Sequence, residues 1–403
     1  MTRLTRVRKA ILALMLLAAA GCTGQAAGSY GTALVGKVPV AGGPTAEQLA
    51  HGYWVRIPAA PIRLCDGQPV WDGHEILMVE PGGYPPCQSA AALYNPTASR
   101  WKRIAAPPRG ADGPDMAWGG GRLLMVSWYS GVVVAWDRAT GRWQRLPGFP
   151  KKTAVSVGWT GREFIVITAR QLGPNKGTAS AFELRGNRWT RLPDLPQPGR
   201  GRVLVATMAT YGGSVYAVAQ VRLWHLDPND TYVVDRAELL RLTRSSWVKM
   251  PLPSGVPSSL QVLTQVSGAL LAAGSSCDMC TIWNGAAALV TPGPRTLVVP
   301  FRPRPGVPYP YDFAAGPHAI AVLYFDGLGF PGPRHYGPKP GSSLIYGIAT
   351  GRWLKGPTAP ETSADQSSTP GAVWTPYGVA MLSQEIVNNV SHGRPGGWLL
   401  RPR

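Results

Sequence analysis

Short apolar runs recur along the chain, and the five clearest follow an aromatic residue and a tight turn. Weaker copies at Val266–Ala273 and Gly316–Tyr324 bring the number of runs to seven. Apolar runs of this length, bounded by turn residues, predict buried β-strands. The five clearest copies are VWDGHEILMV from Val70, AWGGGRLLMV from Ala117, GWTGREFIVI from Gly158, TYGGSVYAVA from Thr210 and VWTPYGVAML from Val373.

A second marker follows most of these runs at a spacing of roughly fifty residues. It is a tryptophan followed two residues later by Arg or Lys and then by a proline-rich stretch. A third short strand, as in AALYNP or VVVAWD, lies between the two markers. Four short strands per repeat predict the blade of a β-propeller. The six signature tryptophans are Trp54, Trp101, Trp143, Trp189, Trp247 and Trp353.

The two ends of the chain complete one blade between them. The last repeat runs from Ala372 to the C-terminus and supplies only three strands, whereas Tyr53–Pro58 carries the tryptophan signature with no repeat before it. Pairing these segments would close the ring and remove an open sheet edge. We therefore predict an all-β fold, a seven-bladed propeller of four-stranded antiparallel blades over residues 51–403, with six or eight blades as alternatives.

Residues 1–22 have the features of a bacterial lipoprotein signal peptide. Four basic residues precede the apolar stretch Ala10–Ala20, which is too short to span a bilayer as a stable helix. The small residues before Cys22 resemble a lipobox, although Ala19 stands where leucine is commonest. We expect lipidation of Cys22, export, and anchoring to the outer face of the cell membrane, with ordinary signal cleavage as the alternative. Residues 23–50 would be a flexible tether.

The four remaining cysteines are even in number, as is typical of disulfides in an oxidising compartment. We expect Cys65 to pair with Cys87, and Cys277 with Cys280, although four cysteines allow three connectivities. The Cys277-x-x-Cys280 spacing also occurs in redox motifs and half zinc sites, but neither a βαβ pattern nor two further ligands accompany it. We expect no metal and no cofactor.

The charge is strongly positive, +19 for the chain and +15 without the signal, which contains four basic and no acidic residues. Such a charge favours anionic lipids, acidic wall polymers or polyanionic glycans, and export argues against nucleic acid. The basic residues two positions after each tryptophan share its strand face. They would encircle the rim and protect exposed strand edges, a reading we favour over a dedicated polyanion site. They are Arg56, Arg103, Arg145, Arg191, Lys249 and Lys355.

Propeller topology indicates where a specific site would lie. With strands a to d from the axis outward, the a–b and c–d turns share one face, and the longer b–c loops and d–a crossovers share the other. Elaborated loops on a rigid scaffold are the expected place for binding, although each polar or aromatic residue there could merely stabilise its own loop. Our candidates on this face are Trp224, His225, Asp227, Asp230, Trp283, Asp326, His335 and Tyr336.

The turn Trp159-Thr-Gly-x-Glu163, followed by an apolar strand, and the Trp-x-x-Leu-Pro strands at Trp143 and Trp189 resemble kelch-type repeats. The chain from about residue 50 is thus similar to the central propeller of galactose oxidase. Most repeats lack the double glycine of kelch. Galactose oxidase uses copper with two Tyr, two His and a Tyr–Cys cross-link. This chain has six histidines and its cysteines are expected to pair, so we assign that ligand set to no residues here.

No G-x-S-x-G elbow, H-E-x-x-H motif or P-loop is present. We therefore expect a non-catalytic, monomeric lipoprotein of the cell envelope that binds a protein or a glycan, possibly anionic, through the face with the longer loops. The alternative is an extracytoplasmic enzyme that acts on carbohydrate or a small molecule at the propeller axis, where carboxylates such as Asp227 and Asp326 could pair. A third hypothesis is general adhesion to polyanions by the basic rim.

Overall fold

The repeats fold into seven four-stranded antiparallel sheets, as predicted. In the computed structural model the described residues contain one short helix, α1 (Ala46–Ala50), and thirty strands. These residues are 42–63, 68–82, 88–150, 154–173, 176–197, 202–224, 232–252, 259–275, 286–291, 297–301, 312–323, 343–358, 371–383, 386–387, 390–391 and 396–403.

Blades 1 to 4 follow one another along the chain, and each begins with its innermost strand. Their strands are β2 (Gln68–Trp71), β3 (Ile76–Glu80), β4 (Ala90–Asn95) and β5 (Arg100–Ile104); β6 (Pro114–Gly119), β7 (Arg122–Ser127), β8 (Val133–Asp137) and β9 (Arg142–Leu146); β10 (Ala154–Trp159), β11 (Phe164–Gly173), β12 (Lys176–Arg185) and β13 (Arg188–Arg191); and β14 (Arg202–Tyr211), β15 (Ser214–Trp224), β16 (Tyr232–Leu242) and β17 (Trp247–Met250).

Blades 5 and 6 repeat this order, and blade 7 combines both ends of the chain. The strands of blades 5 and 6 are β18 (Ser259–Val266), β19 (Ala269–Ser275), β20 (Ala286–Thr291) and β21 (Leu297–Phe301); and β22 (Asp312–Ala315), β23 (Ala319–Leu323), β24 (Ser343–Gly347) and β25 (Arg352–Lys355). Blade 7 contains β26 (Gly371–Thr375), β27 (Gly378–Ser383), β30 (Gly396–Arg401) and β1 (Tyr53–Ile57), and the hairpin β28 (Ile386–Val387) and β29 (Val390–Ser391) lies between β27 and β30.

The predicted closure of the ring is confirmed. β1 pairs antiparallel with β30, with Trp54 opposite Leu400 and Ile57 opposite Gly397, and so becomes the outermost strand of blade 7. The innermost strands of neighbouring blades contact one another around the ring, including β26 and β2. Each apolar cluster of the core combines side chains of adjacent blades; for example, Leu77 of blade 1 packs with Trp118 of blade 2.

Helix α1 lies beside blade 6, within the range that the sequence analysis assigns to a tether. Thr45 caps it through a reciprocal pair of hydrogen bonds with Gln48. Ala46 and Leu49 are buried in the same apolar cluster as Ile345 of β24. The folded part of the chain therefore includes at least part of the segment before β1. No helix among the described residues is long and apolar enough to cross a membrane.

The signature tryptophans tie each blade to the preceding one, which explains their recurrence. Each ring is partly or fully buried. In five of the six, Nε1 donates to the main-chain oxygen four residues after the signature tryptophan of the preceding blade. The N–O distances are 2.7–3.0 Å for the pairs Trp54–Pro357, Trp101–Pro58, Trp143–Ala105, Trp189–Pro147 and Trp247–Pro193.

We expect the variant Trp101→Phe to lower the free energy of unfolding by about 1–2 kcal/mol. Phenylalanine keeps much of the packing, but it has no N–H and leaves the Pro58 oxygen without its donor. Urea unfolding measures the loss. Trp128→Phe is the matched control, because the Nε1 of Trp128 is buried with no partner among the described residues. Equal losses in the two variants would contradict the role given to the hydrogen bond.

Candidate functional site

Connection lengths separate the two faces of the propeller. The a–b and c–d turns have two to five residues, and we call their side the short-turn face. On the other side the d–a crossovers have seven to fifteen residues, and the b–c connections range from two to nineteen; we call this the long-loop face. The predicted division is therefore present. In blade 3 the b–c connection has only two residues, because β11 and β12 continue as a ten-residue hairpin.

Most of the predicted site residues cannot be placed on this face. Trp224 is the last residue of β15 and pairs with Tyr232, so it ends a strand, where the sequence analysis expected it in a loop. The β-forming residues Val233 and Val234 pair with Leu223 and Arg222, which explains the longer hairpin. The other candidates, His225, Asp227, Asp230, Trp283, Asp326, His335 and Tyr336, lie outside the described residues, as do Cys22, Cys65, Cys87, Cys277 and Cys280.

The described part of the long-loop face includes an ordered platform at blade 2, formed by the crossover 105–113 and the b–c loop 128–132. Ser127 Oγ donates to the Asp112 oxygen at 2.6 Å, and Ser130 Oγ donates to the Gly110 oxygen. Phe149 N, at the start of the next crossover, donates to the Gly131 oxygen at 2.8 Å. Hydrogen bonds between the loops thus hold this surface in place, and we call it the blade 2 platform.

Two adjacent aromatic residues lie on the blade 2 platform. Tyr129 is 44% exposed and packs beside Gly113, where a Cβ atom would clash with its ring. Trp128 is half-buried beneath it and packs against the core between blades 2 and 3. Sequence reasoning missed this pair, although the signal was present as a Trp-Tyr step immediately before Ser-Gly in a b–c loop. An exposed ring on a rigid support is suited to contact with a protein or a sugar.

The blade 2 platform also carries charge. Arg109 is exposed, and its carbonyl oxygen accepts a hydrogen bond from Arg145 Nη2 at 2.8 Å, which connects the platform to the basic rim. Burial raises the pKa of the Asp112 carboxyl above its usual value. The platform therefore offers a phenol ring, a cation and a carboxyl group within one pair of loops.

The basic residues of the signature lie on the outermost strands, and all six are exposed, as predicted. Several have partners at the rim: Arg191 pairs with Asp194 at 2.7 Å, and Lys249 pairs with Glu238 at 2.9 Å. Pairing within the rim reduces the charge available to an anionic ligand, and exposed pairs contribute little to stability. The rim thus supplies a diffuse positive field.

A buried carboxylate on the innermost strand of blade 2 joins two blades. Asp115 is 1% exposed, and its oxygens accept hydrogen bonds from Met116 N at 2.9 Å and from Val157 N of β10 at 2.7 Å. Burial raises the pKa of Asp115 to about 7, against the lowering effect of these two N–H groups. Thr207 accepts from Leu263 N in the same way between blades 4 and 5. Both contacts fit a structural role between blades.

The described residues do not form a copper site of the kind that a galactose oxidase propeller implies. They contain no cluster of three His, Cys, Asp or Glu side chains able to hold a metal ion. His51 ends α1, and His74 and His318 lie in the a–b turns of two different blades.

No protein-family model and no curated protein matches the sequence. Among solved structures, a fungal alcohol oxidase of the AA5 family, in complex with copper, is 13% identical with a TM-score of 0.57, and the match covers 87% of this chain and 76% of that one. The β-propeller domain of Cps50 (Swd1) from Myceliophteria thermophila is 12% identical with a TM-score of 0.49, over 86% of this chain and 98% of that one. The likeness to the oxidase supports the predicted galactose oxidase-like propeller as a fold.

Proposed function

We propose that this chain is a non-catalytic propeller scaffold of the cell envelope, with repeats of the kelch type, that binds a protein or a glycan through its long-loop face. The observation that supports the proposal best is the blade 2 platform, where inter-loop hydrogen bonds hold an exposed tyrosine on a closed ring of blades. A pre-ordered aromatic surface loses little conformational entropy on binding. Ring closure by β1 adds rigidity to this support.

The segment before β1 packs on the side of the propeller opposite the proposed binding face. Ala46 of α1 faces Gly347, the last residue of β24 before a c–d turn, so residues 42–50 lie at the short-turn face. We infer that this segment leaves the long-loop face accessible to envelope components.

The binding role predicts different effects for three exposed tyrosines, one on each surface. Tyr129 lies on the long-loop face, Tyr377 in an a–b turn of the short-turn face, and Tyr53 on the outermost strand β1, with exposed fractions of 44%, 41% and 44%. We expect Tyr129→Ala to weaken binding to envelope glycans or to a membrane-protein extract at least about tenfold, because an anchoring aromatic contributes roughly 2 kcal/mol. Tyr377→Ala and Tyr53→Ala should change binding less than about twofold.

Binding isotherms for these variants at low and high salt separate the alternatives. Salt-resistant binding that only Tyr129→Ala weakens would support the long-loop site. Binding that disappears at high salt and is equal in all three variants would leave only adhesion through the basic rim, and the proposed site would be wrong.

The anchor has its own test. We expect the full chain expressed in bacteria to partition into the detergent phase, and the variant Cys22→Ser to remain in the aqueous phase, because the lipid would be attached to the Cys22 sulfur and to the new N-terminus. Cys65→Ser is the matched control and should partition like the wild type. Aqueous partitioning of the wild type, with a mature N-terminus elsewhere than Cys22, would indicate ordinary signal cleavage.

A further inference from the structure

Blade 5 departs from the tryptophan signature, and its strand register shows where. In blade 2 the second residue of strand b, Leu123, lies opposite Trp136 of strand c, and Trp136 lies opposite the signature residue Trp143 of strand d. Blade 5 has an a–b turn of the same two-residue length. There the second residue of strand b, Leu270, lies opposite Val290, and Val290 lies opposite Val298. Val298 therefore stands at the position of the signature tryptophan.

The signature tryptophan meets up to two features of the preceding blade. One is the carbonyl oxygen four residues after that blade's own tryptophan, which accepts the indole N–H. The other, present at four of the five junctions, is the apolar side chain one residue earlier, such as Ile104 beside Trp143 or Leu192 beside Trp247. Blade 4 has both features next to blade 5: Pro251 supplies the carbonyl oxygen, and Met250 supplies the apolar side chain.

A cavity lies at these two residues. It has a volume of about 540 Å³ and is lined by Ala237, Glu238, Lys249, Met250, Pro251 and Leu252. Met250 and Leu252 are half-buried and pack on the core between blades 4 and 5. No described residue donates a hydrogen bond to the Pro251 oxygen. Valine has three side-chain carbons and no N–H, so the residue type at position 298 lacks the indole donor of the signature.

We propose that this cavity, the blade 4–5 rim groove, binds a tryptophan side chain of a partner protein. The same arrangement of an apolar side chain and a carbonyl oxygen accommodates an indole at four other junctions of this molecule. At a fifth, Trp54–Pro357, the residue before the accepting proline is Gly356. Met250 adds a sulfur that packs favourably against aromatic rings. Tryptophan is also the residue that most often anchors a protein interface.

The surroundings of the groove favour a peptide ligand. Glu238 is held by Arg236 and Lys249, each at 2.9 Å from its carboxylate, and only 14% of its side chain is exposed. These ion pairs lower the pKa of the Glu238 carboxyl, although burial opposes them. An apolar floor bordered by fixed charges can take up an indole while the polar border contacts the backbone on either side of it. The groove lies at blades 4 and 5 and is therefore separate from the blade 2 platform.

The probe for the test is N-acetyl-5-fluoro-L-tryptophanamide, titrated into the full chain and followed by ¹⁹F NMR. We expect saturable binding in the millimolar range, because the groove holds a single side chain. Val298→Trp should weaken this binding at least tenfold and raise the Tm, since the chain would then fill its own groove. Thr190→Trp, which adds an exposed tryptophan on the outermost strand of blade 3, is the matched control and should leave binding unchanged.

Two further measurements keep the proposal falsifiable if Val298→Trp does not fold. Met250→Glu, at a half-buried residue that lines the groove, should also weaken binding at least tenfold. The 1-methylindole analogue of the probe, which has no indole N–H, should bind at least threefold more weakly. Equal binding of the two probes, or unchanged binding in Met250→Glu, would overturn the proposal. Self-association of the wild type that Val298→Trp abolishes would identify the occupant as a second copy of this chain and would also overturn it.

Discussion

Replacing Arg138 with methionine should lower the free energy of unfolding by about 3 kcal/mol or more, because removing one partner leaves a buried charge uncompensated. Arg138 follows β8 in the c–d turn of blade 2 and pairs with Asp72 and Glu75 in the a–b turn of blade 1. The Asp72 side chain is fully buried, and its Oδ1 accepts hydrogen bonds from His74 N at 2.8 Å and Glu75 N at 2.6 Å. Without the guanidinium, the Asp72 carboxylate would lack its counter-charge.

Two variants make this prediction specific. Arg122→Met breaks the ion pair with Asp137, whose side chains are 45% and 32% exposed, and should cost less than about 1 kcal/mol. The double variant Asp72→Asn with Arg138→Met should recover part of the loss, because the amide oxygen can keep the two backbone hydrogen bonds. Urea unfolding of the four proteins gives the comparison. A loss in Arg138→Met no larger than that in Arg122→Met would show that the inter-blade ion pair does not stabilise the ring.

The second large effect is expected at Gly119, where two blades approach closely. A Cβ atom on Gly119 would fall within the indole ring of Trp159 in blade 3. Trp159 in turn packs against Phe164, with ring centroids 4.8 Å apart, and has little room to move. We expect Gly119→Ala to cost about 3 kcal/mol, at the upper end of the usual range for overpacking.

Gly121 provides the matched control, because it has open space around it and a φ of +76°. Gly121→Ala should cost only about 1–2 kcal/mol, the cost of the left-handed backbone for an L-residue. In a Trp159→Leu background, Gly119→Ala should become nearly neutral, since the ring that it meets is gone. Losses that simply add in the double variant would rule out the contact as the cause.

Much of the fold could be predicted, because the signals that define it are local and recur in most of the blades. At two a–b turns the preceding aromatic residue makes an inter-blade contact: Trp159 covers Gly119, and Trp374 covers Gly316, each in the preceding blade. The signature tryptophans likewise meet the preceding blade. Closure by β1 could be inferred because Trp54 carried a signature with no blade before it.

The partners of single polar residues could not be predicted in the same way. In the sequence, Asp72 looks like an ordinary turn residue. It pairs with Arg138, which is 66 positions later in the chain, and this pairing depends on how blades 1 and 2 pack together. In the sequence, Asp115 looks like a polar residue that interrupts a strand. Its partner, Val157 N, belongs to the next blade, so the sequence around Asp115 does not reveal it. The sequence predicts Trp224 in a long b–c loop, whereas pairing with Tyr232 extends β15 to that point.

Candidate binding residues were harder still, because loops have no repeat to define them. Loop length favours the longest loops as binding sites, whereas the described platform uses the short b–c loop of blade 2 with Tyr129. Its order comes from side-chain to backbone hydrogen bonds such as Ser127 to Asp112. Such bonds depend on the crossover from blade 1, which the loop sequence alone does not reveal.

Site-specific photocrosslinking in intact cells tests the central claim most directly. A benzophenone amino acid would replace Tyr129, Tyr377 or Tyr53 in the full chain, one at a time, so that each of the three surfaces is sampled by a position of similar exposure. The account predicts a discrete envelope adduct from position 129 that the other two positions do not give. A discrete adduct only from position 377 or 53, or the same adducts from all three, would contradict binding through the long-loop face.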